Sequence, residues 1–138
     1  MVKEERTGWR DKEISWRHRF WGDKLCLMDL DGIFTGLETD GTEPIAIIEY
    51  KHERAPKQSV SEYEYKVLIR LGDLSKLPVF AVRYANNWSW WHVIPLNNRS
   101  KQILPSRQRM NEYEYVKFLY QLRKIEMPPK IKELFDGT

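Results

Sequence analysis

The chain has 138 residues, 41% of them hydrophobic and 31% charged, with a formal net charge of +3 at pH 7. That length and balance suit one domain with a real core and exclude a disordered chain; the small positive charge permits a local nucleic-acid-binding patch without demanding one. The single cysteine, Cys26, excludes an internal disulfide, and no leader-like or membrane-length apolar run occurs, so a cytoplasmic protein without membrane contact is expected.

Residues 1–6 are charged and read as a frayed end. Thr7 can cap a helix running to about Trp21, with Gly22 as its stop. Trp9, Glu13, Trp16 and Phe20 fall on one face of it, which predicts an inward aromatic stripe with a carboxylate among the rings. Glu13 is then either a site residue or a rim carboxylate paired with Arg10 or Arg17. Arg17, His18 and Arg19 form a basic cluster on the flanks, able to meet phosphates or simply solvated.

A strand is predicted over 24–30, with Asp29 and Asp31 on one face. A second strand, Ile45 to Lys51, is too apolar and β-branched for a surface loop. Alternation sets Ile45, Ile47, Glu49 and Lys51 on one face, and Ala46, Ile48 and Tyr50 on the other. A two-residue Asp40-Gly41 turn would place Asp31 opposite Tyr50. A three-residue turn, Thr39-Asp40-Gly41, places Asp31 opposite Glu49 and Asp29 opposite Lys51, and a bulge at Gly32 or Gly36 would shift the count by one. Opposed carboxylates, with Cβ atoms roughly 5 Å apart, repel unless a cation lies between them. Oxygen ligands with room for waters are what Mg²⁺ takes.

Ser59 and Glu62 form a capping-box pattern opening a helix with Val60, Tyr63, Val67 and Leu71 on one face and Gly72 at its close. Pro78 to Tyr84 reads as a buried strand, Ala85-Asn86-Asn87 as a turn, and Trp88 to Pro95 as its hairpin partner. Trp88, Trp90 and Trp91 can stack on bases or, more commonly for strand tryptophans, pack on a helix. Residues 97–109 read as a polar loop whose Arg99, Lys101, Arg107 and Arg109 are candidate phosphate contacts. Asn111 and Glu114 repeat the capping pattern before a helix with Tyr115, Phe118, Leu119 and Leu122 inward, stopped by Met127-Pro128-Pro129; the tail can form a short helix.

Asp31, then Glu49-Tyr50-Lys51 eighteen residues on, resembles the D…(D/E)-x-K signature of the PD-(D/E)XK nuclease superfamily, and Asp31-Gly32 resembles the Asp-Gly of some of its exonucleases. No Pro precedes Asp31, and Gln58 with Tyr63 misses by one position the Gln-x-x-x-Tyr spacing of one exonuclease branch. The resemblance covers roughly residues 9–96 of a single domain spanning 1–138, with a C-terminal helix and tail over 110–138. It implies an α/β (α+β) restriction-endonuclease-like fold, an αβββαβ core with a mixed central sheet flanked by helices. It also implies a metal-dependent nuclease acting on nucleic acid, DNA first. Asp31, Glu49 and the Tyr50 carbonyl would hold Mg²⁺, with Mn²⁺ able to substitute, Lys51 would act on the attacking water, and Glu13 and Asp29 would be accessory. Arg17, Arg19, Arg99, Lys101, Arg107 and Arg109 would contact the nucleic acid, and a homodimer is open. The alternative is a non-catalytic nucleic-acid-binding or assembly module on the same fold. A weaker third is a protein–protein adaptor using a Trp-rich sheet.

Overall fold

The computed structural model describes residues 17, 20–21, 32–36, 43–55 and 63–136. The chain divides into two compact units, Met1–Leu30 and Asp31–Thr138. In the first, Arg17 and Phe20 are helical and the Trp21 N–H donates to the Arg17 carbonyl at 3.2 Å. Phe20, expected to point inward, is 78% exposed, with the Arg17 guanidinium 5.5 Å over its ring. The rest of that predicted helix and the predicted strand over 24–30 lie outside the described residues, as does the Ser59/Glu62 capping box.

The second unit is mixed α/β. Its described elements are β1 (Gly32–Gly36), β2 (Glu43–His52), α1 (Tyr63–Ser75), β3 (Val79–Tyr84), β4 (Trp91–Pro95), α2 (Asn98–Ile103), β5 (Gln108–Met110), α3 (Glu112–Arg123) and α4 (Pro129–Glu133). The five strands form one sheet in the order β1-β2-β3-β4-β5. Among the described strands only the β2–β3 pair is parallel, which requires a crossover, and α1 lies in it. β1 pairs antiparallel with β2 through Gly32↔Ile48, Ile33↔Ile47 and Phe34↔Ala46. These three pairs fit the count from a three-residue turn, but the pairs nearer the turn, Thr35↔Pro44 and Gly36↔Glu43, are one residue off it, because a register shift falls between Phe34 and Thr35 rather than at Gly32 or Gly36.

Opposed residues share a face, so two faces follow from the register. On one, Ala46, Ile48, Phe80, Val82, Trp91 and Val93 pack beneath Tyr115, Phe118 and Leu122 of α3. Phe80 and Phe118 meet edge to face at 5.3 Å. The capping box opening α3 forms as the sequence requires, with Asn111 Oδ1 accepting from the Glu114 N–H and Glu114 Oε1 from the Asn111 N–H, both at 2.8 Å. The other face carries Ile47, Glu49, Lys51, Val79, Ala81 and Arg83, and α1 contacts its two strands.

The inward stripe of α1 is not Tyr63, Val67 and Leu71, all of which are exposed; the buried residues are Leu68 and Gly72. Gly72 does not end the helix. It lies inside it, where a Cβ would stand 2.2 Å from Val79 Cγ2, so glycine is there for close helix–strand approach. The stop is Lys76, left-handed at φ 62, with the Leu77 N–H donating to the Gly72 carbonyl at 2.8 Å in a Schellman-type closure. Asn97 locks this corner: its Oδ1 accepts from the Val79 and Ser100 N–H groups, and its Nδ2 donates to Asp73 Oδ1 and the Leu77 carbonyl.

Residues 97–109 are not a loop. Asn97 caps α2, and β5 adds an edge strand against β4. β4 begins at Trp91, because Trp88 takes a left-handed backbone in the turn at φ 66. The C-terminal short helix is α4. Gly72→Ala would normally favour a helix by about 1 kcal/mol. Here it is expected to destabilise by about 1–3 kcal/mol through overpacking against Val79. Urea melts of Gly72→Ala, Val79→Ala and the double variant should show the pair losing less than the sum of the singles.

Candidate functional site

Glu49 lies near the carboxyl end of β2, on a strand that is otherwise apolar there, and is only 3% exposed. A carboxylate in that position needs a partner. Two residues on, on the same face, Lys51 sets its Nζ 2.9 Å from Glu49 Oε2 and 3.5 Å from Glu64 Oε2 of α1. The lysine is therefore held between a strand carboxylate and a helix carboxylate. The Tyr65 hydroxyl is pushed up in pKa chiefly by burial; of its charged neighbours, Lys51 and Arg83 lower it and Glu49 and Glu64 raise it. Glu64 and Tyr65 went unseen in the sequence. Their only signal was their position in the first turn of a helix that must cross this face to join parallel strands.

A row of side chains continues from Lys51 across the sheet. Lys51 opposes Arg83, Arg83 opposes His92, and His92 opposes Arg109. Neighbouring strands are about 4.8 Å apart, so the four backbone positions step across one face in even increments. Arg83 is committed locally, donating from Nη1 to the carbonyls of His52, Glu53 and Ala55 at 3.0–3.1 Å, which pins the turn after β2. At the far end Arg109 is exposed and lies 5.4 Å over the Trp90 ring, with His92 beside that ring at 4.9 Å.

The described residues thus bring Glu49 and Lys51 together and put Arg109 on their face. Tyr50 points its side chain to the opposite face, so only its main-chain carbonyl could serve at the site. Arg99, Lys101 and Arg107 are exposed, the first two on α2 and the third just before β5. Arg17 is exposed in the first unit. Glu13, Arg19, Asp29 and Asp31 lie outside the described residues. Among the described residues no group of three or more His, Cys, Asp or Glu side chains is arranged to hold a metal ion. None of their helices is long and apolar enough to cross a membrane.

The opposite face at the same end of the sheet is aromatic. Tyr50 and Tyr115 hydrogen bond through their hydroxyls. Both phenols are pushed up in pKa, mainly by burial, and stay neutral. His52 stands edge-on to Tyr84, with Nδ1 accepting from the Arg54 N–H, so Nε2 carries the proton toward Asn86 Oδ1. Of the tryptophans singled out in the sequence, Trp91 packs into the core while Trp88 is 51% exposed.

Comparison of the chain with known protein families, with curated proteins and with solved structures gave no match.

Two outcomes are expected. Lys51→Met removes the cation 2.9 Å from a buried carboxylate and should cost roughly 3 kcal/mol. Adding Glu49→Gln should restore part of that loss, measured as a double-mutant cycle in chemical denaturation. The tyrosine pair gives a pH signature. Folded Tyr50 and Tyr115 keep protons that an unfolded tyrosine releases near pH 10, so their contribution to stability is flat below that pH and falls above it. Tyr115→Phe should make that alkaline fall shallower, by up to about 1.4 kcal/mol per pH unit. Melting curves from pH 8 to 11 read the difference.

Proposed function

We propose that the protein is a small metal-dependent nuclease of the PD-(D/E)XK type, built on the restriction-endonuclease-like αβββαβ core and hydrolysing phosphodiester bonds of DNA. The observation that carries this reading is the buried Glu49–Lys51 pair at the carboxyl end of a central strand, beside an antiparallel neighbour in the register Gly32↔Ile48. The proposal extends that register by one residue, which sets Asp31 opposite Glu49. Two carboxylates and the Tyr50 carbonyl then make an oxygen donor set suited to Mg²⁺ or Mn²⁺.

Such an ion supplies a water of lowered pKa and neutralises charge on the phosphate oxygens. The chain's own residues do the rest. Glu49 is fixed by burial and so presents its oxygens without reorganisation. Lys51 orients the attacking water or meets the charge developing on the phosphate. Glu64 holds Lys51 in place from α1. The cross-sheet row ending in Arg109, with Trp90 beside it, supplies positive charge and an aromatic surface on the same face, as a nucleic-acid strand needs.

One observation favours the non-catalytic nucleic-acid-binding module as a second reading. Lys51 lies 2.9 Å from Glu49 Oε2 and 3.5 Å from Glu64 Oε2, so its charge is engaged by carboxylates of the protein. Cleavage of a panel of labelled single-stranded, duplex and branched substrates with Mg²⁺, Mn²⁺ or EDTA decides between them. The nuclease reading expects metal-dependent cleavage that falls at least about 10²-fold in Lys51→Ala. It also expects a Mg²⁺-dependent rise in melting temperature that Glu49→Gln abolishes. Salt-dependent binding without cleavage assigns the second reading, and full cleavage by Lys51→Ala ends the first.

A further inference from the structure

The aromatic side of the sheet holds an open cleft of about 460 Å³ that has no part in the proposed hydrolysis. Tyr50, Tyr84, Trp88, Trp91 and Tyr115 line it, and Glu112 of α3 stands among them. No lysine or arginine is among its described lining residues. Ring faces carry partial negative charge, and a carboxylate adds a full one, so the cleft repels phosphate and favours a cation.

The ring geometry narrows the ligand further. Tyr84 and Trp88 stack at 5.5 Å and 13°, Trp88 and Trp91 at 5.8 Å and 18°, and Trp91 and Tyr115 at 4.7 Å and 7°. Each pair is already in stacking contact, which leaves no slot for a flat base between them. Tyr50 stands nearly upright to this array, at 75° to Tyr84 and 85° to Tyr115. Rings in two orientations make a corner, and a compact rounded group meets several of them there at once.

Trp88 points the same way independently. A left-handed backbone suits glycine or asparagine, and a tryptophan there is strained. The surrounding structure holds it: its N–H donates to the Ala85 carbonyl at 2.9 Å, and its own carbonyl accepts from Trp91 Nε1 at 3.1 Å. Yet Trp88 is 51% exposed, so about half of it stays open beyond its stacks on Tyr84 and Trp91. Backbone strain held by neighbours is one feature of ligand clamps, and here it presents an open aromatic side.

We infer that this cleft is a binding site for an alkylated ammonium group, held against the exposed side of Trp88 and the rings that line the corner, with Glu112 as counter-charge. The site is separate from Glu49 and Lys51 and does not depend on the nuclease reading. The group can come from a free quaternary amine or from a methylated lysine of a protein tail.

The test is a titration of the full chain with choline chloride, followed by NMR of the indole N–H groups. Saturable shifts at Trp88 and Trp91 are expected. The uncharged isostere 3,3-dimethylbutan-1-ol should bind at least about fivefold more weakly. Trp88→Ala should weaken choline about tenfold. Glu112→Gln, which preserves side-chain size on an exposed residue, should weaken it by roughly two- to fivefold while lowering the melting temperature by no more than the few degrees that a first-turn carboxylate contributes. A trimethyllysine peptide separates the sources: tighter binding than choline assigns a protein tail, and equal binding assigns the free cation. No saturable shift, equal binding of choline and the neutral alcohol, or an adenosine monophosphate that binds more tightly than choline overturns the proposal.

Discussion

The parallel pairing of β2 with β3 is the constraint on which the rest depends. Ile47, Ile48 and Glu49 lie against Val79, Phe80 and Ala81, and all six are buried. Two adjacent strands covered on both faces need helices above and below, and they need a crossover long enough to return the chain to the same end of the sheet. α1 meets the second need and covers one face; α3 covers the other. The close seat of Gly72 on Val79 and the four hydrogen bonds of Asn97 set where the crossover ends and β3 begins.

Burial of that pair also explains the chemistry at its end. Glu49 is an ionisable residue inside an apolar strand, so its neighbours are chosen by electrostatics rather than by packing. Lys51 reaches it along the strand and Glu64 reaches Lys51 from α1. Parallel strands run out together, so the residues at their carboxyl ends gather at one edge of the sheet. Lys51 and Arg83 stand there on one face, and Tyr50 and Tyr84 on the other. One end of one strand pair thereby has a charged side and an aromatic side.

Much of this was legible in the sequence. Alternation in Ile45 to Lys51 assigned Glu49 and Lys51 to one face and Tyr50 to the other; the count from a three-residue turn met Gly32 opposite Ile48 but not the pairs nearer the turn, because a one-residue shift lies between Phe34 and Thr35. The Asn111/Glu114 capping box opened α3 where expected, because capping is local and needs no tertiary partner. Helix faces were less legible. Tyr63, Val67 and Leu71 have the spacing of an inward stripe, but Leu68 and Gly72 are the residues that meet the sheet. Periodicity reports that a face is apolar; it does not report which face another element will approach.

By itself, the sequence determined what depends on neighbours along the chain: the strand over Ile45 to Lys51, the polarity of its two faces, the cap of α3 and the placement of Glu49 and Lys51 on one side. Only the tertiary structure decided what depends on distant segments. Glu64 joins Lys51 from thirteen residues away, Arg109 joins its row through three strand pairings, and Trp88, Trp91 and Tyr115 converge from a turn, a strand and a helix. The physical reason is that a strand's alternation is set by backbone geometry, whereas which strands lie side by side is set by the burial of whole faces.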